Sequence, residues 1–596
     1  MDTRLDITTR HDRPLAAETT QEIKSFSRHR QSTINAIILI GLILAALIPR
    51  IVLALQLDMV TDEVVYILGG KIYLPLLRHL SIGASGWTYN YEHPPFAKVL
   101  MGLALAVNSL LGHPLGELLA ARVPSIIMGT LLVVAVYLLG RAPVGRIVAL
   151  IAALCLAFSP WLVYFSALAY LDMTMTALVT IAFLLLWPAI QRPRLYLLAA
   201  LCVGLGVASK YTASLVVPGM VLFTAYYFLA VRPRMPKEQR PRVPWLWWIG
   251  AVIIAPLAFL AADPAIWPDP YGLLHHSFLF EWEHSIHGHL TFIAGNYVTH
   301  VPRWAIVYII LNKMTVFVTI PAAFFVIFAL VQLVRFHIHP TNAKSTTSTA
   351  RVTPTDAASL SFLLIWLLSI LGMFSLLNIV VGTHYHLPLA PSVALAGVYG
   401  LAILLRPLTR NVPADSLSPT QLRTEMQTSK PTRVRIRIAI ALLTLLTVGP
   451  HLFGLLTVHA AEGYTSETFP DENNTLQVAY PGYRDALEWL TTNTHGSARV
   501  GLVSLPGTLQ SGGQGVSWFD YNKSFTSRFQ LAEAHPQDKT YPYDYLVWPM
   551  HLVQRGYAMP PGWNTHVVHK VMGGNTIYCY ILANPLTAEG KAQSSS

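Results

Sequence analysis

Charged residues are scarce in this chain of 596 residues. Only 12% of them are Asp, Glu, Lys or Arg, whereas 53% are hydrophobic. Soluble domains usually carry about 25% charged residues, so the shortage excludes an ordinary soluble protein. The charge that is present gives a net value of +11. In a soluble chain this excess would suggest a nucleic-acid partner, but here membrane topology explains it better, and we expect no nucleic acid to bind.

Cysteines are rarer still. The three in the sequence, Cys155, Cys202 and Cys579, are far apart, which excludes a disulfide framework or a cysteine metal cluster. We find no Gly-rich nucleotide loop and no internal repeat of fixed period. No cleavable signal peptide is visible either, because the first apolar run starts late, at Ile34, and is too long.

Long apolar runs recur from Ile34 to Leu456, each able to cross about 30 Å of hydrocarbon. They predict a polytopic α-helical membrane protein with about eleven spans. The predicted spans are 34–57, 117–140, 146–168, 173–190, 195–209, 213–231, 246–262, 305–334, 358–380, 387–405 and 438–457. Arg50, near the outer end of the first span, is expected to extend its side chain to the interface.

Polar regions flank this transmembrane module, residues 34–457. A basic tail, 1–33, precedes it, and residues 458–596 follow with the composition of a soluble domain. In that last region Tyr483–Asn493 has helical periodicity. Four short segments read as strands, which predicts a small α/β domain: Ala498–Ser504, Tyr543–Trp548, Thr565–Val571 and Thr576–Leu582.

The predicted topology depends on how many times the chain crosses the membrane between residues 96 and 139. Residues 96–111 are short for a span and fit an interfacial helix better. With a single crossing here, 25 Lys and Arg fall on the N-terminal side of the membrane. The opposite loops, before the last domain, then hold six: Lys71, Arg78, Lys98, Arg122, Lys210 and Arg303. The positive-inside rule therefore predicts a plasma-membrane protein with a cytoplasmic N-terminus. The loops 58–116 and 263–303 and the C-terminal domain would be external.

Two adjacent acids, Asp62 and Glu63, follow the first span. Charged side chains at a lipid boundary are costly and by default indicate a functional site. Neighbours on a helix point about 100° apart, which does not suit a pair acting on one bond, as in glycoside hydrolysis. One acid as general base with its neighbour as positioning group fits better. The alternative is that both stabilise the start of a helix.

The stretch Glu92-His93-Pro94-Pro95-Phe96-Ala97-Lys98 follows in the same loop. Each proline fixes its own φ and restricts the residue before it, so the turn is rigid. Lys98 either holds a lipid phosphate or anchors the helix to anionic headgroups. Glu92 makes a simple headgroup anchor less satisfactory.

Four later residues are further candidates. Asp172 is either a second acid of the pocket or a cap of the fourth span. Lys210 lies at an outer helix end, where the positive-inside rule does not place a lysine, which favours a phosphate partner. His384 and Tyr385 lie at another outer edge and are candidates for the same cavity.

Histidines crowd the second loop, and His284-x-x-His287-x-His289 is compact. The spacing matches no tight metal signature, and loops rich in Trp and His also line sugar pockets. We therefore assign no metal ligands.

Four segments, in their order along the chain, resemble the C-type membrane glycosyltransferases. They are Asp62-Glu63, the 92–98 stretch, Arg122-Val123-Pro124-Ser125 and Leu171-Asp172. The resemblance covers roughly residues 34–405. It is nearest to the protein O-mannosyltransferases and to the aminoarabinose transferase that modifies lipid A. It implies the C-type glycosyltransferase fold and a polyprenyl-phosphate-linked sugar as donor. The sugar, a hexose such as mannose or a pentose, would pass to a protein, lipid or glycan hydroxyl at the outer face.

Transferred by motif, the resemblance implies that Asp62 is the general base and Glu63 its neighbour in acceptor positioning. Lys98 and Arg122 would contact the donor phosphate or order the first loop, and Asp172 would be the second acid. Lys210 corresponds more loosely to a lysine of the aminoarabinose branch. Substrate contacts are also expected from Glu92, His93, His384 and Tyr385. Membrane lipids are the other partners. No cofactor is required, although a divalent metal near the acids stays open.

The chain departs from the eukaryotic protein mannosyltransferases in lacking the sugar-binding trefoil domain that they insert in a lumenal loop, for which loop 263–303 is too short. Its C-terminal domain instead resembles the variable periplasmic tails of bacterial members, which suggests acceptor selection or a cover over the site. The main alternative function is a transporter or flippase. Transporters usually place polar sites near mid-membrane, whereas here the acids lie in loops. Lys313, within the predicted eighth span, is the exception.

Overall fold

A computed structural model describes most of the chain. The described residues are 13–287, 291–294, 296–338, 352–376, 382–409, 430–457, 464–467, 482–494, 497–506, 509, 517–573 and 576–586. Side chains are described from residue 33 onward, with short gaps.

Helices long and apolar enough to cross a membrane dominate the described residues. There are nine of them: Thr33–Gln56, Glu117–Val144, Leu171–Ala189, Tyr211–Arg234, Trp245–Ala262, Val316–Ile338, Pro354–Phe374, Thr383–Leu404 and Val434–Thr457. A bent pair, Arg146–Phe158 with Pro160–Ser166, makes a tenth if counted as one span. The predicted polytopic helical fold is confirmed. The predicted span 195–209 is the helix Leu195–Val207, whose 13 residues are short for a crossing.

Further helices lie between the spans. Two belong to the first loop, Thr61–Arg78 and Phe96–Leu110, with a 3₁₀ turn at Ser85–Thr88. The second loop contains the helix Pro270–His287 and a small hairpin of β1 (Thr291–Ile293) and β2 (Asn296–Val298). The first span is the continuation of a longer helix, Arg13–Gln56, so much of the predicted basic tail is helical.

Arg50 is buried inside the bundle, contrary to the prediction that it reaches the interface. Its Nη1 donates to the carbonyl oxygens of Ala46 at 2.7 Å and Ala157 at 3.2 Å, and Nη2 donates to Leu156 at 3.4 Å. Pro160 bends the chain by 60° and has no N–H for the Leu156 carbonyl. Arg50 thus satisfies carbonyl groups that the bend leaves without a helical donor.

The short helix Phe96–Leu110 begins and ends on one side of the bundle. At its start Phe96 N donates to Ala208 O at 3.0 Å. After it, the chain enters the next span, where Arg122 contacts the carbonyl of Leu57, just beyond the first span, at 3.0 Å. This geometry agrees with an interfacial helix and a single crossing. We call this side the pocket end of the bundle.

The predicted eighth span is broken. A short helix, Ala305–Lys313, precedes the span Val316–Ile338. Lys313 therefore lies at a helix end, where Nζ donates to Tyr464 O at 2.9 Å. The Glu467 carboxylate accepts from Val316 N at 3.1 Å, and a carboxylate is favourable at a helix N-terminus.

The C-terminal domain contains a five-stranded sheet beside the helix Tyr483–Asn493. Its strands are β3 (Arg499–Val503), β4 (Gln530–Ala534), β5 (Tyr545–Pro549), β6 (Val567–Gly573) and β7 (Thr576–Ala583), in the order β4-β3-β5-β7-β6. The first three are parallel, and β7 is antiparallel to both β5 and β6. The predicted α/β domain is confirmed. Sequence reasoning missed β4, because Gln-Leu-Ala-Glu-Ala is made of good helix formers.

Two glycines let the helices of the first loop touch. A Cβ on Gly70 would lie 2.7 Å from the Lys98 carbonyl oxygen and 2.8 Å from Gly102 N. These are backbone atoms, which cannot rotate away. The close approach fixes the helix that carries Asp62 against the helix that carries Lys98.

We therefore predict that Gly70→Ala destabilises the protein by about 1–3 kcal/mol, the usual cost of overpacking. The measurement is thermal unfolding in detergent. Gly41→Ala is the matched control, because a Cβ there meets nothing within 4 Å. Equal unfolding temperatures for the two variants would contradict the proposed close packing.

Candidate active site

The side chain of Arg122 is fully buried and fully hydrogen-bonded. Nε donates to Glu63 Oε1 at 2.8 Å and Nη2 to Glu63 Oε2 at 2.6 Å, which makes a bidentate pair. Nη1 donates to the carbonyls of Ala54 and Leu57, and Nη2 also donates to Asp58 O at 2.7 Å. The last carbonyls of a helix have no partner within it, so Arg122 closes the end of the first span.

The hydrogen-bonding capacity of Glu63 is used equally fully. Besides Arg122, its Oε1 accepts from Ala169 N at 2.7 Å and its Oε2 accepts from Val60 N at 3.0 Å. Each oxygen of Glu63 already accepts two hydrogen bonds, so neither can accept one from a substrate hydroxyl. All five N–H groups of Arg122 are likewise used, so none can donate to a phosphate. The acceptor-positioning role predicted for Glu63 therefore does not fit. Of the two roles expected for Arg122, ordering the first loop fits.

Lys98 is also buried and occupied. Its ammonium donates to Asn90 O at 2.9 Å, Asn90 Oδ1 at 2.8 Å and His93 O at 2.7 Å, which uses all three protons. Glu92 accepts from Asn90 Nδ2 at 2.6 Å. Burial lowers the pKa of Lys98 to about 7, against the raising effect of Glu92 and Asp263. Lys98 thus holds the loop that presents His93, and neither a phosphate contact nor a headgroup anchor fits.

Aromatic rings connect the remaining candidates at the pocket end. His93 lies 6.1 Å from Tyr66, and Tyr66 lies 5.7 Å from Tyr170, between ring centres. Tyr170 lies 5.6 Å from His384, which lies 4.4 Å from Tyr385. Residues from four separate parts of the sequence thus form one continuous cluster, and we refer to the region around it as the pocket.

Asp62 lies in this pocket, one residue before the buried Glu63. Its side chain is half-buried and faces Lys210, His93 and the hydroxyl of Tyr170. Burial raises the pKa of Asp62 above the ordinary aspartate value, and the positive charge of Lys210 is the largest influence against that rise. An acid with a raised pKa, held near positive charge in a cleft, is suited to proton transfer.

Asp172 and Lys210 form a buried ion pair beside it. Lys210 Nζ donates to Asp172 Oδ1 at 2.7 Å and lies 3.9 Å from the centre of the Tyr385 ring. Among the described residues, Asp172 Oδ2, His384 Nδ1 and Thr383 Oγ1 are buried without a hydrogen-bond partner. Unpaired buried polar atoms cost about 1–3 kcal/mol each. This cluster, unlike Glu63 with Arg122, retains bonding capacity for a ligand.

The second loop covers the first. His276 of the helix Pro270–His287 stacks on Tyr91 at 4.7 Å, and Ser277 Oγ donates to Tyr91 O at 3.1 Å. Glu281 Oε1 lies 3.3 Å from His93 Nδ1. The predicted substrate residue His93 is therefore held between the two loops.

The residues described give no group of three or more His, Cys, Asp or Glu able to hold a metal ion. The side chains of His284 and His289 lie outside the described part. His287 Nδ1 lies 2.9 Å from the Glu283 carbonyl in its own helix.

Sequence reasoning missed Tyr66, Tyr170 and Glu281. Tyr66 follows Asp62 by four residues on one helix, so the shared face was available as a signal. Tyr170 lies two residues before Asp172. No sequence signal indicated Glu281, whose place depends on how the two loops pack.

The sequence model of the dolichyl-phosphate-mannose-protein mannosyltransferase family matches residues 92–261. The resemblance predicted from the motifs is confirmed by this match. A comparison with proteins of curated function found no match.

Solved proteins that show a distant likeness include two examples. One is the oligosaccharyltransferase AglB from Archaeoglobus fulgidus in complex with an inhibitory peptide and a dolichol-phosphate, at TM-score 0.46 and 14% identity, covering 80% of this chain and 62% of that chain. The chain thus spans less than two thirds of that protein. The other is ArnT from Cupriavidus metallidurans in the apo state, at TM-score 0.46 and 14% identity, covering 94% of this chain and 99% of that chain. At these scores no functional conclusion follows from them.

Arg122→Lys separates an ordering role from phosphate binding. Lysine keeps the charge but has three donors in place of five and cannot form the bidentate pair, so we predict a loss of about 1–3 kcal/mol of stability for the ligand-free protein. The measurement is thermal unfolding of the purified protein. Arg484→Lys is the control, since that side chain forms an exposed pair with Glu488. Wild-type stability with weakened polyprenyl-phosphate binding would contradict the assignment.

Proposed function

We propose that this polytopic membrane glycosyltransferase of the polyprenyl-phosphate-sugar class, matched over residues 92–261, transfers one sugar with inversion to an acceptor hydroxyl. The reaction would take place at the outer face of the plasma membrane. The observation that carries the proposal is the pocket at the span ends, where Asp62 faces the Asp172–Lys210 pair.

Asp62 acts as general base. Its carboxylate takes the proton of the acceptor hydroxyl while that oxygen forms a bond to the anomeric carbon. The bond from the anomeric carbon to the phosphate oxygen breaks, and the polyprenyl phosphate leaves with the electron pair. Attack and departure on opposite faces of the sugar give inversion.

Lys210 stabilises the negative charge that grows on the departing phosphate. Asp172 holds the ammonium in place through Oδ1, and its unpartnered Oδ2 is available to a sugar hydroxyl. His384 and Tyr385 line the same side of the pocket. In this scheme Glu63, Arg122 and Lys98 are positioning residues that hold the two halves of the first loop.

The identities of the transferred sugar and of its acceptor are separate questions. Mannose on Ser or Thr is the first candidate, because the matching family is named for mannose transfer to protein. A pentose, or a lipid or glycan hydroxyl, is the other outcome. Mass spectrometry of cell-surface proteins and glycolipids, with and without the gene, distinguishes them. A lost hexose on protein supports the first, and a lost decoration on lipid or polysaccharide supports the second.

A transporter is less consistent with the geometry. Transporters usually bind substrate near mid-membrane on broken helices. Here the candidate groups gather at span ends, and Lys313 is bound to the segment that follows the last span.

We predict that Asp62→Asn lowers turnover by about 10²–10⁴-fold, the usual contribution of a general base, because an amide cannot take the proton. Folding and polyprenyl-phosphate binding should stay intact. The assay is transfer from a polyprenyl-phosphate sugar by protein in nanodiscs. Glu238→Gln, an exposed residue of a loop at the other end of the spans, is the control. Full transfer by the Asp62→Asn variant would show that another group is the base.

The pH profile provides a second test. The base must be ionised, so activity falls as the pH drops through the pKa of Asp62. Because burial raises that pKa, the acid limb of kcat/KM should lie above the ordinary aspartate value of about 3.9. The titratable groups that share its electrostatic environment are Lys210, His93, Arg555, Asp172, Tyr66, Tyr170 and Tyr385. A limb at or below the ordinary value would be inconsistent with this assignment.

A further inference from the structure

The C-terminal domain is attached to the loop that carries Asp62. Asp58 Oδ2 accepts from Arg484 N at 3.1 Å, and its Oδ1 accepts from Asn522 Nδ2 at 3.3 Å. Both donors belong to the C-terminal domain. The carbonyl of the same Asp58 accepts from the buried Arg122, so the attachment point is itself rigid.

A second contact lies at the start of the next span. Tyr521 OH donates to Glu117 Oε1 at 2.8 Å, and Glu117 also pairs with Lys71 of the helix that begins beside Asp62. Because the contacts lie on both sides of the first loop, they define the orientation of the domain toward the pocket.

The sheet topology decides which edge of the domain faces the pocket. Within the parallel part of the sheet, β3 has β4 on one side and β5 on the other. Ligand sites in such sheets lie outside the carboxyl ends of the strands, at this change of direction. At the carboxyl end of β5, Pro549 pairs with Cys579, whose thiol donates to the Gly482 carbonyl at 3.4 Å. Gly482 directly precedes the helix of Arg484, so this edge of the sheet faces Asp58.

Arg555 extends from that edge. It follows the short helix Met550–Val553 after β5, and its N donates to Leu552 O at 3.1 Å. The side chain is half-buried, and its positive charge is the weakest of four influences that oppose the burial-induced rise in the pKa of Asp62, after Lys210, His93 and Tyr170. Among the described residues we find no carboxylate paired with this guanidinium, whereas the other cation near Asp62, Lys210, is bound to Asp172.

We propose that the C-terminal domain completes the active pocket and that Arg555 is a positioning residue for the Asp62 carboxylate. This inference rests on the proposed function and assigns to the domain a part in the reaction itself. The Arg555 guanidinium favours the ionised form of the base from the domain side, while Lys210 does so from the membrane side. Acceptors must then enter between the domain and the two loops.

The test compares Arg555→Ala with Arg555→Lys. Removing the positive charge should move the acid limb of kcat/KM upward by roughly 0.3 pH unit, and lysine should restore most of that shift. Lys570→Ala, an exposed residue of β6, is the control and should keep the wild-type profile. An unchanged profile in Arg555→Ala, or equal shifts in the Ala and Lys variants, would overturn the proposal.

A readout without turnover separates this inference from the proposed function. Infrared difference spectra against Asp62→Asn report the titration of the Asp62 carboxyl, and this baseline cancels the signal of Asp58. Arg555→Ala should raise the titration midpoint whether or not a sugar is transferred. If the wild-type protein transfers no polyprenyl-phosphate sugar but the midpoint moves, the function is wrong and the placement of Arg555 is right. If sugar transfer occurs and the midpoint does not move, the proposed function is right and the placement of Arg555 is wrong.

Discussion

The buried pair of Glu63 and Arg122 is the constraint on which the rest of the pocket depends. It joins the end of the first span, the start of the helix that bears Asp62, the second span and the backbone at Ala169. Burying two charges is costly unless every donor and acceptor is satisfied, and here each is. Because Asp62 directly precedes Glu63, a rigid Glu63 leaves the Asp62 carboxylate little freedom to leave the pocket.

Charged residues near the pocket divide into two groups by their bonding. All the N–H groups of Arg122 and Lys98 donate to oxygen atoms at the end of the first span and in the first loop. Asp172 has not, and Lys210 shares its charge between one carboxylate oxygen and the face of Tyr385. The first group holds backbone segments in place, and the second can respond to a ligand. Position at the membrane edge does not distinguish them, since all four lie at the same end of the bundle.

Burial separates the predicted location of these residues from the roles predicted for them. A resemblance carries over which residues occupy a region, and Asp62, Asp172, Lys210, His93 and His384 do gather there. It cannot report whether a side chain has free hydrogen-bonding capacity. Glu63 and Lys98 were therefore assigned to substrate from sequence, although the fold uses both to tie distant backbone segments together.

The sequence by itself determined the helical membrane architecture, because hydrocarbon demands long apolar segments and the count of charges shows where they end. It also determined the α/β character of the C-terminal domain through one helical segment and four short segments that read as strands, with β4 missed because its residues favour helices. Only the tertiary structure decided that Arg50 satisfies the carbonyls of a bent span and that Glu281 approaches His93. Those contacts join residues more than a hundred positions apart. They depend on packing geometry and on which buried groups remain unpaired, and neither quantity has a local signature in the chain.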